Sequence, residues 1–254
     1  MKPNNPNFWS RLDGQLVLRN LEREEAVYRN NIFPAWSLNQ IDEAIVIYYE
    51  VYDCHSADFI DDSIYQLKGC YLKPGDHVLD LGANVGIFTR WASDAGAKKI
   101  YSFEPVQENF QLLALNRPEN CEAHRLAITD EDMQNIQIAY KEDCPGGSSF
   151  VKHDDGVLQT AMGMTLDTLL EKGIIEKIDF MKMDIEGAEV HAFNGISDDN
   201  LNNIRCIAME IHVAAIGKEE ADKIYNRLSG LGFNHYTIFN PDQNNIAYFW
   251  KESN

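Results

Sequence analysis

The sequence predicts an α/β fold, in which a mostly parallel, doubly wound sheet ends in an antiparallel hairpin. Two observations carry this prediction. From residue 73 onward, short apolar runs alternate with segments of helical periodicity, a pattern typical of parallel strands joined by helices. The last two apolar runs are separated only by a short turn containing Asn and Pro, which is typical of an antiparallel hairpin at a sheet edge.

The 254-residue chain is predicted to comprise two regions. Residues 1–72 begin with an Asn- and Pro-rich stretch and continue with helical stretches rich in aromatic side chains, so we expect a helical cap over the ligand edge of the sheet. Within this cap, Tyr49 and Tyr52 are candidates for lining a substrate pocket. A Lys-Pro-Gly-Asp turn at residues 73–76 marks the start of the main domain, residues 73–254.

Each element of the main domain follows from its own pattern. Helices are predicted where apolar residues recur three and four positions apart: after each of the first two strands, from Thr165, and around residues 221–228. Strands are predicted for apolar or alternating runs at residues 77–80, 100–104, 121–128, 136–140, 178–184, 204–210, 233–239 and 246–250.

The first strand leads into a glycine-containing turn. The strand ends at Asp80, the chain turns on Gly82 and Gly86, and the second strand ends at Glu104. The succession of strand, glycine turn, helix, strand and acid is how open α/β sheets hold adenosine-containing ligands, because glycine lets the backbone approach the ligand and the acid accepts hydrogen bonds from ribose hydroxyls. The sequence therefore predicts a bound adenosyl cofactor.

The composition of the turn decides between cofactors. Residues 82–86 read Gly-Ala-Asn-Val-Gly, without the middle glycine of the dinucleotide motif, and no Walker Gly-Lys-Ser/Thr sequence is present. Asp80, just before the turn, would repel a pyrophosphate but suits a ligand that carries a sulfonium and an ammonium group. We therefore expect S-adenosyl-L-methionine rather than NAD or ATP.

Charge and cysteine content exclude several function classes. The chain has 40 acidic against 22 basic residues, a formal net charge of −18, so we expect neither nucleic acid nor an anionic membrane as a partner. The five cysteines are scattered and form no Cys-x-x-Cys pair, which argues against a disulfide framework or a zinc site. With no signal-like or membrane-spanning apolar run, a cytoplasmic location is expected, and a homodimer is the default expectation for assembly.

A second polar cluster follows the fourth strand. Asp184 ends this strand at the carboxyl edge, where open α/β sheets bind their ligands, and Lys182 lies two residues earlier on the same side of the sheet. We expect Lys182 to be partly desolvated and paired with a carboxylate. Glu186 and Glu189 follow in the turn and the first turn of the next helix, where capping of the helix N-terminus explains one of them.

The fifth strand ends with Glu210 and His212, whose side chains share one face. Adjacent strands would bring them near Asp184, and three interpretations stay open. Asp184 and Glu210 could hold a divalent cation such as Mg²⁺, His212 could act as a general base, or the cluster could be purely structural. His212 as base is slightly favoured.

Four segments of the chain together resemble the FkbM family of S-adenosylmethionine-dependent methyltransferases: Val78–Gly86, Phe103–Pro105, Met181–Glu189 and Met209–His212. Both the family's Asp-x-Gly-Ala-Asn-x-Gly and Lys-x-Asp-x-Glu-Gly-x-Glu patterns are met in order and spacing. The resemblance covers roughly residues 75–215. It implies a Rossmann-like class I methyltransferase fold and O-methylation of a hydroxyl on a sugar, glycan or small natural-product metabolite.

The resemblance also implies roles for individual residues. Glu104, with Pro105, would hold the ribose, and Ala127 and Ile128 would flank the adenine. The methionyl end of the cofactor would lie near Asp80, Gly82, Ala83, Asn84 and Gly86, and Asp184, also a cofactor-binding candidate, would lie beside the reacting methyl group. The candidate catalytic residues are Lys182, Asp184, Glu210 and His212.

Two other functions stay open at this point. An N-methyltransferase acting on an amine is disfavoured, because Asp-Ile-Glu-Gly at residues 184–187 replaces the Asn/Asp-Pro-Pro-aromatic motif frequent in such enzymes. A non-catalytic, regulatory adenosyl-binding module is disfavoured by the acids at every expected strand end.

Overall fold

The computed structural model describes residues 64–140, 157–238 and 245–252, together with the backbone of four strands between residues 7 and 34. These four strands are β1 (Asn7–Leu12), β2 (Gln15–Asn20), β3 (Glu25–Tyr28) and β4 (Asn31–Pro34), and they pair in this order as an antiparallel sheet. The helical prediction is therefore wrong for residues 7–34. Asp13-Gly14 between β1 and β2 is a two-residue hairpin signal that a search for helical periodicity misses. Tyr49 and Tyr52 lie outside the described residues.

The described part of the main domain contains ten further strands: β5 (His77–Leu81), β6 (Lys99–Phe103), β7 (Cys121–His124), β8 (Leu126–Ile128), β9 (Met133–Tyr140), β10 (Val157–Met164), β11 (Phe180–Met183), β12 (Cys206–Ile211), β13 (Asn234–Ile238) and β14 (Asn245–Trp250). Seven of them form one sheet in the order β13-β14-β12-β11-β5-β6-β7. Its pairs are parallel, except that β14 runs antiparallel to both neighbours. The predicted doubly wound sheet with a C-terminal antiparallel hairpin is confirmed.

The helices that cover this sheet are α1 (Ile87–Asp94), α2 (Gln107–Asn116), α3 (Leu166–Glu171), α4 (Glu189–Asn194), α5 (Asp198–Asn202), α6 (Val213–Ile216) and α7 (Lys218–Gly230). The predicted apolar face of α1 is buried through Phe88, Trp91 and Ala92. Thr165 begins α3 as predicted, since its hydroxyl accepts a hydrogen bond from the Thr168 N–H at 3.0 Å.

A second, three-stranded sheet has the order β8-β10-β9. It divides the strand predicted at residues 121–128, because β7 stays in the main sheet while β8 pairs with β10. β10 itself was not predicted. Its sequence includes Gly163 and leaves Leu158 and Met162 exposed, so it lacks the alternation that marks a half-buried strand.

The main sheet is buried on both faces, as parallel sheets are. Val78 and Phe180 pack on one face, whereas Leu79 and Met181 pack on the other. Asp80 and Lys182 continue the first face toward the carboxyl ends of β5 and β11, where they are register partners. Asp80 and Lys182 thus bring polar side chains into the interior at the edge where the sequence predicts the ligand site.

Within the described part of the chain, no helix combines the length and the apolar content needed to cross a membrane. The described cysteines, Cys70, Cys121 and Cys206, are buried and form no disulfide.

Candidate active site

Four chain segments meet at the carboxyl ends of the central strands. The glycine turn (residues 82–86) follows β5, Glu104 follows β6, the acidic turn (residues 184–189) follows β11, and His212 follows β12. Because β5, β6, β11 and β12 are adjacent and parallel, their ends lie side by side. This is the edge at which open α/β sheets bind ligands.

The glycine turn has an unusual backbone. Gly82, Asn84 and Gly86 all adopt positive φ angles, of 74°, 47° and 92°. A Cβ atom on Gly82 would lie 1.7 Å from the carbonyl oxygen of Asp184, so this position accepts no side chain. The glycine turn is therefore packed directly against the acidic turn.

Glu104 is fixed in orientation by the backbone around it. Its side chain is almost fully buried, and its two oxygens accept hydrogen bonds from the N–H groups of Asn84 and Val106, each at 2.9 Å. Burial raises the pKa of Glu104 to about 7, against the opposing effect of these two hydrogen bonds. Each carboxylate oxygen has a second lone pair, so Glu104 keeps the capacity to accept hydrogen bonds from a ligand.

Asp80 lies beneath the glycine turn. It is 0% exposed and accepts a hydrogen bond from the Thr89 hydroxyl at 2.6 Å. Burial raises the pKa of Asp80, although Lys182 and Thr89 oppose the rise. Because Asp80 has no exposed surface, its predicted place near the methionyl end of a cofactor stays a prediction.

Lys182 connects the two turns. Its ammonium donates to the carbonyl oxygen of Gly82 at 2.8 Å and lies 3.5 Å from Asp80 and 3.7 Å from Asp184. Burial by itself would lower the pKa of Lys182, but the charges of Asp184 and Asp80 raise it. The predicted desolvation and carboxylate pairing of Lys182 are confirmed, and the contacts make it a support for the glycine turn.

Asp184 faces the opening of the site. Its side chain is 25% exposed, and Oδ2 accepts a hydrogen bond from the Tyr65 hydroxyl at 3.3 Å. Tyr65 is buried and was not among the predicted site residues, because nothing in the aromatic-rich N-terminal sequence distinguishes it from core aromatics.

His212 lies between two carboxylates of the acidic turn. Nδ1 is 2.7 Å from Glu189 Oε1, and Nε2 is 3.1 Å from Glu186 Oε2 and 4.0 Å from Asp184 Oδ1. Burial opposes the effect, but the carboxylates of Glu186 and Glu189 raise the pKa of His212 to about 11. A pKa this far above neutral disfavours His212 as a general base, and its catalytic role stays a prediction.

Glu189 does more than complement a helix dipole. It is fully buried, and the same oxygen that meets His212 also accepts the Gly187 N–H at 3.0 Å. Glu186 and Gly187 both have positive φ, which turns the chain so that Glu186 reaches the imidazole. The sequence signal for these two roles is weak, since acids are common in the first turn of a helix.

Glu210 completes the polar cluster. One ligand atom from each of Asp184, Glu210 and His212 lies within 4.8 Å of the other two. The predicted proximity of these three side chains is therefore confirmed.

The predicted adenine residues lie on β8. Ala127 and Ile128 are buried, and Ala127 packs in one cluster with Val106, the residue whose N–H binds Glu104. Their contact with an adenine stays a prediction, as does a ligand contact of Ala83 or Pro105.

Residues 80–235, more than half of the chain, match the family model described as the methyltransferase FkbM domain. The chain belongs to this family. The seven-stranded sheet of this FkbM-domain chain is accordingly a class I methyltransferase sheet, with its antiparallel strand next to β12.

Curated relatives of this FkbM-domain chain include the 31-O-demethyl-FK506 methyltransferase FkbM of Streptomyces tacrolimicus, which is 25% identical over 207 residues, 67% of this chain and 75% of that protein. The AMB antimetabolite synthetase AmbE of Pseudomonas aeruginosa is 23% identical over 239 residues, which span 76% of this chain but 11% of AmbE.

Solved structures that the chain matches include the precorrin-6y C5,15-methyltransferase of Geobacter metallireducens, with a TM-score of 0.44 and 10% identity over 79% of this chain and 94% of that one. Another is the TYW2 protein of M. jannaschii in complex with AdoMet, with a TM-score of 0.37 and 11% identity over 99% of this chain and 90% of that one.

Proposed function

We propose that this protein is an S-adenosylmethionine-dependent O-methyltransferase whose acceptor is a hydroxyl group of a sugar, glycan or small natural product. One observation carries the proposal. In a chain of the FkbM family, Glu104, the glycine turn and the partly exposed Asp184 converge at one edge of the sheet. The name of the Streptomyces tacrolimicus relative, which specifies an oxygen as its methylation site, supports oxygen as the acceptor atom.

The residues present fit the cofactor. Glu104 is held by two backbone amides with acceptor capacity to spare, which suits a pair of ribose hydroxyls. The glycine turn and Asp184 would receive the methionyl end, whose cationic groups favour nearby carboxylates. Ala127 and Ile128 would flank the adenine. When bound, S-adenosyl-L-methionine supplies a methyl group activated by its sulfonium.

The chain's own task is to position the acceptor and receive its proton. A sugar hydroxyl is a weak acid, so it needs a hydrogen-bond acceptor aligned with the reaction. Asp184 is the partly exposed carboxylate at the opening, and Tyr65 and Lys182 fix its direction. We assign Asp184 as the side chain that binds the acceptor hydroxyl, while His212 stays ion-paired with Glu189 behind it.

The proposal extends to partners. The net charge of −18 favours a small-molecule or carbohydrate acceptor over nucleic acid or an anionic membrane surface. A homodimer stays a default expectation, to be tested by sedimentation.

Calorimetry with S-adenosylmethionine and S-adenosylhomocysteine tests the cofactor assignment. We expect micromolar binding of both by the wild type, loss of binding in Glu104→Ala, and no binding of NAD. Glu122→Ala is the matched control, because Glu122 is a partly exposed acid on the neighbouring strand β7 and should leave binding unchanged. If the folded wild-type protein binds neither adenosyl ligand, the cofactor assignment is wrong, and the proposed function is wrong with it.

Turnover against a panel of hydroxylated and aminated acceptors then tests the acceptor class. Methylation confined to hydroxylated compounds is the expected result. Methylation of amines alone would replace the proposal with an N-methyltransferase, and binding without turnover of any acceptor would favour a regulatory module.

A further inference from the structure

The polar cluster at the ends of β11 and β12 has the dimensions of a cation site. One ligand atom each from Asp184, Glu210 and His212 lies within 4.8 Å of the others. Ligands on opposite sides of a divalent cation with bonds of 2.1–2.4 Å are roughly 4 to 5 Å apart. The three side chains therefore need little movement to share one ion.

His212 is oriented as a ligand would be. Its Nδ1 is fixed by the fully buried Glu189 at 2.7 Å, which directs Nε2 toward Asp184 and Glu186. A carboxylate behind a histidine is the usual arrangement that orients metal-binding imidazoles. Although His212 is only 5% exposed, Nε2 makes no hydrogen bond of acceptable geometry with any described residue, and its contact with Glu186 is an ion pair.

The charges around the site leave a surplus of negative charge. Asp184, Glu186, Glu189 and Glu210 surround this edge of the sheet. Lys182 and the imidazolium of His212 compensate only part of it, because the Lys182 ammonium also faces the buried Asp80 and the Gly82 carbonyl. Carboxylates crowded in a partly buried site repel one another, and a divalent cation relieves this repulsion.

We propose that Asp184, Glu210 and His212 bind a divalent cation such as Mn²⁺ or Mg²⁺, with Glu189 as the carboxylate that orients His212. The ion would take the place of the proton on His212 Nε2, which is released to solvent. The proposal deepens the proposed function and rests on it for its chemical purpose. Asp184 is partly exposed, so an acceptor hydroxyl could reach a cation held there, which would lower the pKa of that hydroxyl. The preferred acceptor would then carry two neighbouring oxygens able to bind the ion together.

Manganese binding by the cofactor-free protein tests the site directly. Mn²⁺ is titrated at fixed pH and followed by calorimetry and by electron paramagnetic resonance. We expect one bound Mn²⁺ per chain in the wild type, and binding weakened at least about tenfold in Asp184→Asn and in His212→Ala. The matched control is His191→Ala, which removes a histidine paired with Asp130 at 2.9 Å on an exposed surface, and should bind Mn²⁺ like the wild type.

The proposal is overturned if the folded wild type shows no saturable binding at millimolar Mn²⁺, or if Asp184→Asn binds as well as the wild type. Asp184→Asn preserves the size of a partly exposed side chain, so it decides the question even if His212→Ala fails to fold. Calorimetry with S-adenosylhomocysteine on the same samples tests the proposed function separately from the cation site. Mn²⁺ binding without S-adenosylhomocysteine binding supports the cation site while removing the proposed function, and the reverse result overturns the cation site alone.

Discussion

Lys182 is the residue on which the internal charge balance of the site depends. It is buried between Asp80, which no solvent reaches, and the partly exposed Asp184. Removing one partner of a buried ion pair leaves the other charge uncompensated in a medium of low polarity, which costs far more than the pair itself contributes. Its hydrogen bond to the Gly82 carbonyl adds a direct connection to the glycine turn.

Replacement of Lys182 by methionine should therefore lower the free energy of unfolding by about 3 to 5 kcal/mol. Lys177→Met is the matched control, because Lys177 pairs with Asp179 at 2.8 Å on the surface, where such a pair contributes about 1 kcal/mol or less. Urea denaturation of both variants measures the difference. Equal losses in the two variants would show that Lys182 does not compensate a buried charge.

At the scale of elements, the contact between the glycine turn and the acidic turn determines the shape of the site. At Gly82 the two turns are in direct backbone contact, because the Asp184 carbonyl occupies the space that a side chain would need. The same contact places the end of β5 beside the end of β11, which brings Glu104 and Asp184 to one opening. The two turns thus shape the site together, although they lie about a hundred residues apart in the chain.

Gly82→Ala should disrupt both turns. Gly75→Ala is a matched control, because Gly75 also has positive φ, 93°, but a Cβ there would meet nothing within 4 Å. We expect Gly75→Ala to cost about 1 to 2 kcal/mol of stability through backbone strain alone. Gly82→Ala should cost several kcal/mol more and abolish S-adenosylhomocysteine binding in the folded fraction, as measured by urea denaturation and calorimetry. Similar losses for both variants would mean that the turns are not packed as described.

At the scale of the whole molecule, the stability of this acidic chain depends on its net charge and on the ionisation of buried carboxyl groups. The formal net charge of −18 disfavours the compact state through self-repulsion, and the buried Glu104 adds a local cost when it ionises. The pKa of Glu104 rises from 4.5 to about 7 on folding. Between these values the folded state holds a proton that the unfolded state has released, so stability falls as pH rises through this interval and levels off above it.

The free energy of unfolding of the cofactor-free wild type should therefore decrease by about 2 kcal/mol relative to Glu104→Gln between pH 5.5 and 7.5. Urea denaturation across this range measures it, and the lower limit stays above the isoelectric point near 4.7. The Gln variant carries the same general charge repulsion without the titrating carboxyl. Parallel pH profiles of the two proteins would contradict the buried, protonated state of Glu104.

The amino-acid sequence is enough to predict the class of the sheet, its closing hairpin, the glycine turn and the acids at the ends of β6 and β11, because these features depend on local periodicity or on fixed spacing. It also placed Asp184, Glu210 and His212 together, since neighbouring parallel strands end at one edge. Periodicity did not reveal the strands between residues 7 and 34 or the sheet formed by β8, β10 and β9, whose partners are chosen by contacts rather than by their own patterns.

The surroundings of the polar groups, by contrast, follow from the folded chain. The tertiary structure buried Asp80, and it put His212 between Glu186 and Glu189, whose carboxylates raise the pKa of the imidazole. It also brought Tyr65 to Asp184 from a segment more than a hundred residues away. Protonation state and hydrogen bonding depend on distances and burial between residues remote in the chain, and these quantities exist only once the chain is folded.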